Sequence, residues 1–349
     1  MDRVRVGVAG CGSVSEHYLA DLKRSPFVDL VAVCDLLPER ARRRANQFGV
    51  PHVFADAEAM LAGVDFELFV NLTSMPAHFP LNRMALQAGR HVHSEKPFAG
   101  ALEEGRALID EANRRALRLT AAPNVVMSPA FRCIRSILES GEIGEVYAAH
   151  GRYGHPGPSW GPWFYRKGGG VVFDLAVYNL TFLTGLLGPA TAVTAQMTTS
   201  IPEREVEGER VVVESEDNAM ILLDHGGGAL SSVLSGFVYG RTHEERTVEL
   251  IGTKGCVNLL GWDWDTRGVE VASPRTNGFE VRCTDAAGYR WDRCGSMAAE
   301  WIATGARPAM TIEHALHVLE VMLAAKESAA TGRRIAVGSS FEWPTPSEG

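Results

Sequence analysis

Along the first third of the chain, short apolar runs alternate with stretches whose apolar positions recur every three to four residues. The run Val4–Ala9 predicts a buried strand. It ends in Gly10-Cys11-Gly12-Ser13, and the following Val14–Arg24 stretch places Tyr18, Leu19 and Leu22 on one helical face. A second apolar run, Leu30–Cys34, ends in Asp35. The pattern then predicts a helix over Pro38–Phe48 with proline at its start, a short strand over His52–Phe54 and a strand over Phe66–Leu72. It continues with a helix over Ala77–Gln87 stopped at Gly89, a strand over Arg90–Ser94, a helix over Leu102–Arg115 and a strand over Leu117–Ala121. Strands with intervening helices predict a doubly wound parallel sheet over residues 1–122.

From about residue 123 the rhythm changes. A helix is predicted over Pro129–Ser140, ended by Gly141, then a strand over Val146–Tyr153 and an irregular stretch to Lys167. A helix starts near Phe173 or Asp174 and runs to about Leu187. Ala192–Thr199, Val211–Glu214, Ala219–Leu223, Gly228–Ser235, Arg246–Ile251 and Gly255–Leu260 read as strands joined by short polar turns, and a helix over Ile312–Ala330 closes the pattern. Residues 123–349 are therefore expected to form a second α/β domain with an open, mainly antiparallel sheet, for substrate binding and oligomerisation. The Glu-rich stretch 200–218 reads as a solvated edge or loop.

Composition narrows the partners. The 349 residues carry a net charge of −8, which argues against bulk nucleic-acid binding and against anionic membranes. No apolar run approaches the roughly 20 residues of a membrane span, and strand-forming sequence begins right after Met-Asp-Arg, leaving no room for a signal peptide. Cysteines 11, 34, 133, 256, 283 and 294 form no C-x-x-C pair and read as small buried thiols, so a cytoplasmic setting and no metal site are expected.

A strand, a Gly-rich turn, a helix and then an acidic residue about twenty positions on is the order a dinucleotide fold needs. Gly10 allows the turn, Gly12 lets backbone approach a pyrophosphate, and Cys11, Ser13 and Val14 lead into the helix N-terminus. Ser15 stands where the fingerprint has its third glycine. Asp35 suits both hydroxyls of an adenosine ribose and repels a 2′-phosphate, which favours NAD over NADP; Arg40 and Arg42 to Arg44 read as a solvated basic face. Thr73, Ser74, His78, Glu95 and Lys96 fall at the carboxyl ends of predicted strands, where such sheets bind ligands. His78 is equally well placed as an ordinary residue of a helix N-terminus. Lys96 beside a nicotinamide would orient a substrate hydroxyl and tune a neighbouring acid. In Gly168–Asn179, a glycine run precedes Asp174 and Tyr178, which share one face of a helix. Taken without the first domain, Asp174 reads better as a helix cap and Tyr178 as a core aromatic. Trp160, Trp163 and Tyr165 lie among Gly and Pro, and suit stacking on a sugar ring or packing in a loop equally well. Trp262 and Trp264 lean towards packing.

The sequence resembles the Gfo/Idh/MocA oxidoreductases, named after glucose–fructose oxidoreductase and inositol dehydrogenase. The resemblance rests on Gly89–Pro97 with its E-K-P end, Ser128–Phe131 through Leu138–Gly144, Gly252–Gly255 and Glu313–Leu316 through Ser328–Arg333. It implies a Rossmann domain, a second domain with an open sheet, and nicotinamide-dependent chemistry on a sugar, cyclitol or cyclic diol by a homodimer or homotetramer. It makes Lys96 the catalytic lysine, Asp174 the active-site aspartate and Asn124 a residue near the nicotinamide. Most members carry histidine four residues after that aspartate; some carry tyrosine, as here at Tyr178. Tyrosine, with an ordinary pKa of about 10, is a ready acid and a poor base unless an ammonium stabilises its phenolate, which tilts the expectation towards reduction. Two other readings compete: an NAD-dependent glycoside hydrolase or lyase of the same family, with no net redox change, and a non-catalytic nucleotide-binding sensor.

Overall fold

The computed structural model describes residues 3–240, 245–284 and 290–343. The chain divides into two compact units, one holding Met1–Ala122 and Trp291–Ala315, the other Pro123–Arg290 and Leu316–Pro346.

The first unit is built from β1 (Val4–Ala9), α1 (Ser13–Arg24), β2 (Val28–Cys34), α2 (Pro38–Phe48), β3 (His52–Phe54), α3 (Ala57–Gly63), β4 (Leu68–Asn71), α4 (Met75–Gln87), β5 (His91–Ser94), α5 (Leu102–Arg114) and β6 (Leu119–Ala121). Its strands pair in parallel in the order β3-β2-β1-β4-β5-β6, so the order reverses between β1 and β4. Val6, Val8, Leu68 and Val70 are wholly buried, and each such side chain stabilises the sheet by about 1.5–3 kcal/mol. The helix after Trp291 packs on α1 and on β1, β2 and β5, so Tyr18, Leu22 and Val70 meet Gly295. That return segment was expected in the second domain, because a linear division cannot show a helix coming back to an earlier sheet.

The second unit holds α6 (Pro129–Glu139), β7 (Val146–Gly154), a π-turn over Val172–Ala176, α7 (Val177–Leu187) and β8 (Ala192–Thr198). Next come β9 (Glu203–Val206), β10 (Glu209–Val212), β11 (Asn218–Asp224), β12 (Leu230–Gly236), β13 (Val248–Gly252), β14 (Gly255–Gly261), β15 (Thr266–Ala272) and β16 (Glu280–Arg282). The returning helix is α8 (Cys294–Thr304); α9 (Ile312–Thr331) and β17 (Ile335–Ala336) follow. Among the described residues the large sheet runs β16-β15-β14-β13-β7-β12-β11-β8-β17. Its pairs are antiparallel except β12 with β7, which are parallel. One face is buried: Ala219, Ile221 and Leu223 alternate with exposed Met220 and Leu222. α7 is apolar all round, and it is buried as such a helix must be. Thr181 and Thr184 bury their hydroxyls there by donating to Val177 O at 2.7 Å and Leu180 O at 2.6 Å.

Several expectations need correction. The stretch 200–218, read as a solvated edge or loop, contains the mostly exposed β9–β10 hairpin, but its end is not solvated: Asp217 is fully buried, accepting from the Ser200 and Ile201 amides at 2.7 and 2.9 Å. α3, β15 and α8 have no counterpart in the sequence pattern, being short or only half apolar. The cysteines are not all thiols, since Cys133 and Cys283 form a disulfide across 150 residues of sequence; Cys11, Cys34, Cys256 and Cys294 are free. Among the described residues, no helix is long and apolar enough to cross a membrane, and no cluster of potential metal ligands occurs.

Candidate active site

In the first unit the loop after β1 makes a tight turn at Gly10, whose φ is +94°. A Cβ there would stand 2.6 Å from the Leu72 carbonyl carbon, so only glycine lets the loop lie on the end of β4. Gly12 precedes α1, and no local side chain caps its first amides. Ser13 and Val14 form the first turn, aiming those amides as an anion site would. Ser15 is buried and donates to Gly12 O at 2.6 Å, which explains why a small hydroxyl suits the third-glycine position.

Asp35, at the end of β2, accepts the Cys11 amide at 2.7 Å on one oxygen and the Leu37 amide at 2.8 Å on the other. Each carboxylate oxygen has capacity for a further donor. Arg44 is not part of a solvated face: it is buried, donates to Ser15 Oγ and Gly12 O, and pairs with Glu16 at 2.9 Å. Arg40, Arg42 and Arg43 are exposed. Cys11 is buried, and burial followed by the Asp35 charge pushes its thiol up to about 12, which disfavours the thiolate near neutral pH.

Beyond β4 and β5, a polar network frames Lys96. Thr73 donates its hydroxyl to Asn71 Oδ1 at 2.6 Å, and Asn71 donates to Asn82 at 2.8 Å. Asn82 donates to Ser94 Oγ and Phe98 O. Ser74 begins α4. His78 does not face outward as a cleft residue would: it is buried, with Nδ1 at 2.7 Å from Pro97 O and Nε2 at 2.9 Å from Thr73 O. Burial pushes its ring towards the neutral form, and it braces the two loops against each other. Glu95 accepts the hydroxyl of buried Tyr18 at 2.6 Å on one oxygen and the Lys96 amide at 3.0 Å on the other. Burial, then neighbouring Cys294 and Glu95, raise the Tyr18 phenol well above its usual range, so Tyr18 is a fixed donor. The Lys96–Pro97 peptide is cis, and Lys96 is half-buried. Gly10, Gly12, Asp35, Thr73, Glu95 and Lys96 thus follow one another along the carboxyl ends of β2, β1, β4 and β5.

In the second unit Asn124 is buried and donates to Arg290 O at 3.3 Å. Asp174 lies in the π-turn, and Tyr178 in the first turn of α7. π-turns recur at functional sites, and nothing in the residue spacing separates one from an α-helix. The ring of Tyr178 packs edge-on against Tyr153 at 5.8 Å, and Tyr153 lies 4.8 Å from Trp262 and 6.1 Å from Trp264. Between those tryptophans, Asp263 is fully buried and accepts from Asn179 Nδ2 at 2.6 Å. Burial pushes the Asp263 carboxyl up to about 7.

Trp160, Trp163 and Tyr165 group elsewhere. Trp163 stacks on Phe164 at 3.7 Å and Trp160 meets Phe164 edge-on. Tyr165 is buried, as the packing reading expects, and its hydroxyl donates to Pro158 O at 2.7 Å. The aromatic corner beside Tyr178 therefore comes from Tyr153 and the Trp262–Trp264 turn, which sequence had assigned to packing. No spacing signal ties those residues to Tyr178.

A parallel sheet in this order, a glycine loop at its reversal and an acidic residue closing the second strand define a dinucleotide-binding fold. The chain belongs to the GFO/IDH/MocA family: residues 4–122 match the oxidoreductase family's NAD-binding Rossmann fold and residues 131–258 match the GFO/IDH/MocA C-terminal domain. It is an NAD-dependent enzyme of the dehydrogenase and reductase class. D-apiose dehydrogenase of Rhizobium rhizogenes is 23% identical over 97% of this chain and 99% of its own length. Trans-1,2-dihydrobenzene-1,2-diol dehydrogenase of Bos taurus is 25% identical over 83% and 86%. The fold is shared with levoglucosan dehydrogenase solved with NADH and levoglucosan, with a TM-score of 0.85, 22% identity, and coverage of 97% of this chain and 100% of that one.

Proposed function

We propose that this enzyme moves a hydride between NAD and a CH–OH carbon of a small cyclic substrate: a sugar, a cyclitol or a cyclic diol. Relatives named for D-apiose and trans-1,2-dihydrobenzene-1,2-diol support that class. The observation that carries the chemistry is the partial exposure of one residue. From Gly169 to Leu186 every residue is buried except Tyr178. A half-buried tyrosine on an otherwise buried helix suits a proton donor or acceptor for the substrate hydroxyl.

NAD supplies the hydride acceptor and, in reverse, the donor. The residues that would hold it are Gly10, Cys11, Gly12, Ser13 and Val14 around the pyrophosphate, Asp35 on the ribose, and Thr73, Ser74, Glu95, Lys96 and Asn124 towards the nicotinamide. NAD is favoured over NADP because a carboxylate stands where a 2′-phosphate would sit, and Arg44 is already committed to Glu16. Tyr178 carries the hydroxyl proton, Lys96 orients the hydroxyl and favours the phenolate, and Asp174 positions a second hydroxyl. Tyr153 and Trp262 offer the apolar face against which a ring would lie.

Tyr178→Phe should lower kcat by about 100-fold or more while NADH affinity, read from nicotinamide fluorescence, stays near wild type. Unchanged turnover would remove Tyr178 from the proton step. The exposed Met220, Leu222, Leu230 and Ile251 on the open sheet face support a homodimer or homotetramer, which sedimentation equilibrium would count.

A further inference from the structure

The helical segment that carries Asp174 and Tyr178 begins without a local cap. Its first residues follow Gly168, Gly169 and Gly170, which have no side chain to accept an amide, and no side chain of the segment itself does so. The missing acceptor comes from Glu216, more than forty residues on. Val171 donates its amide to Glu216 O at 3.0 Å, and Val172 donates to Glu216 Oε1 at 3.3 Å. A carboxylate at a helix N-terminus is also favoured by the helix dipole.

Glu216 is itself held by Lys326 of α9, whose Nζ donates to both carboxylate oxygens at 2.8 Å. The same ammonium donates to Gly169 O at 3.2 Å and lies 4.4 Å from the centre of the Phe173 ring. One cation thus touches the glycine run, the capping carboxylate and the residue before Asp174. The cap explains the last glycine: a Cβ on Gly170 would stand 2.2 Å from Glu216 Oε1. At Gly169 the obstacle is instead backbone, the Trp163 and Phe164 carbonyl oxygens at 2.5 Å.

We propose that Glu216 and Lys326 form a remote cap that sets the π-turn, and that they are positioning residues for Asp174 and Tyr178. The inference rests on the proposed role of Tyr178 only for its catalytic consequence; the geometry it asserts stands apart from that role. The pair fixes where the turn starts, and therefore which way Asp174 and the Tyr178 phenol face. Glu216 lies in the stretch that read as a solvated edge, and Lys326 in a helix with no assigned role.

The test uses the full chain with NADH, labelled with 13Cζ-tyrosine. Tyr178 is identified as the one of seven tyrosine signals lost in Tyr178→Phe. Lys326→Met and Glu216→Gln should each move the Tyr178 signal and leave that of Tyr147, at the far end of the β7 strand, in place. Arg334→Met, which breaks the exposed pair with Asp224, should move neither. The neutral double variant Glu216→Gln/Lys326→Met should regain most of the thermal stability lost by Lys326→Met, because no uncompensated charge is left buried, while the Tyr178 signal stays displaced. Turnover of D-apiose, levoglucosan or trans-1,2-dihydrobenzene-1,2-diol should fall on the order of tenfold in the single variants with NADH affinity unchanged. A Tyr178 signal that does not move in the single variants overturns the proposal. So does a signal that returns together with stability in the double variant, since the pair would then be structural only. If Tyr178→Phe retains full turnover, the proton role fails, and the displaced signal still establishes the cap.

Discussion

Gly10 and Gly170 occupy equivalent places in the two units, each opening the helical segment that carries candidate functional groups, and each with positive φ, +94° and +102°. What excludes a side chain differs. At Gly10 the obstacle is backbone, the Leu72 carbonyl and Thr73 amide at 2.6–2.8 Å. At Gly170 it is the end of a side chain, Glu216 Oε1 at 2.2 Å. The first turn is made by main chain meeting main chain, so its geometry cannot relax. The second is made by a carboxylate that arrives from another segment and can leave. One is a rigid turn of main chain, and the other an adjustable mount for the segment that carries Asp174 and Tyr178.

The sharpest way to break this comparison is to give both glycines a methyl group. Gly10→Ala should be the more damaging change. It adds a left-handed strain of about 1–2 kcal/mol and an overlap costing about 1–3 kcal/mol, with no neighbour able to yield. NADH affinity should fall by about 100-fold or more, as nicotinamide fluorescence would show. Binding within tenfold of wild type would mean that the β4 end gives way, and the claimed rigidity would be lost. Gly170→Ala should push Glu216 away instead. Its turnover should fall on the order of tenfold with NADH affinity preserved. If both variants lose NADH binding alike, the two turns do not differ in the way argued here.

The same contrast explains what the sequence could show. Gly10, Gly12 and Asp35 were legible because a main-chain cradle requires glycines at fixed offsets, and its acidic partner comes one strand later. The parallel sheet was legible because fully buried strands are continuous apolar runs, as in Val4–Ala9 and Leu68–Asn71. Asp174 and Tyr178 could be singled out, but their turn could not be read as π, since Glu216 and Lys326 act across 44 residues and more of sequence. The aromatic contacts were not legible for a related reason. Trp160, Trp163 and Tyr165 cluster in sequence, yet Tyr165 spends its hydroxyl on Pro158, while Tyr153 and Trp262 meet beside Tyr178 only through the fold. Arg44 misled because three exposed arginines precede it on the same helix, and only tertiary packing turns it inward.

The smallest effect lies in how the two units treat a carboxylate. Asp35 sits half-buried with an amide on each oxygen. Asp263 is fully buried and accepts from the Asn179 side chain at 2.6 Å; that bond and the Asp263 and Trp264 backbone amides only partly offset its burial. Its pKa rises from 3.8 to about 7 through burial. A carboxyl whose folded pKa lies above its unfolded value holds its proton more tightly in the folded state. Stability is therefore lost as pH climbs from about 4 to about 7, opposite to the usual behaviour of a paired aspartate. Between about pH 5.5 and pH 8 that loss is roughly 2 kcal/mol. Asp263→Asn keeps an oxygen for Asn179 and cannot ionise, so urea unfolding should show the variant losing roughly 2 kcal/mol less than wild type over that interval. Parallel pH dependences would show that the carboxyl beside Trp262 is solvated or paired after all. The two carboxylates, Asp35 and Asp263, would then be treated alike, and that part of the contrast between the units would disappear.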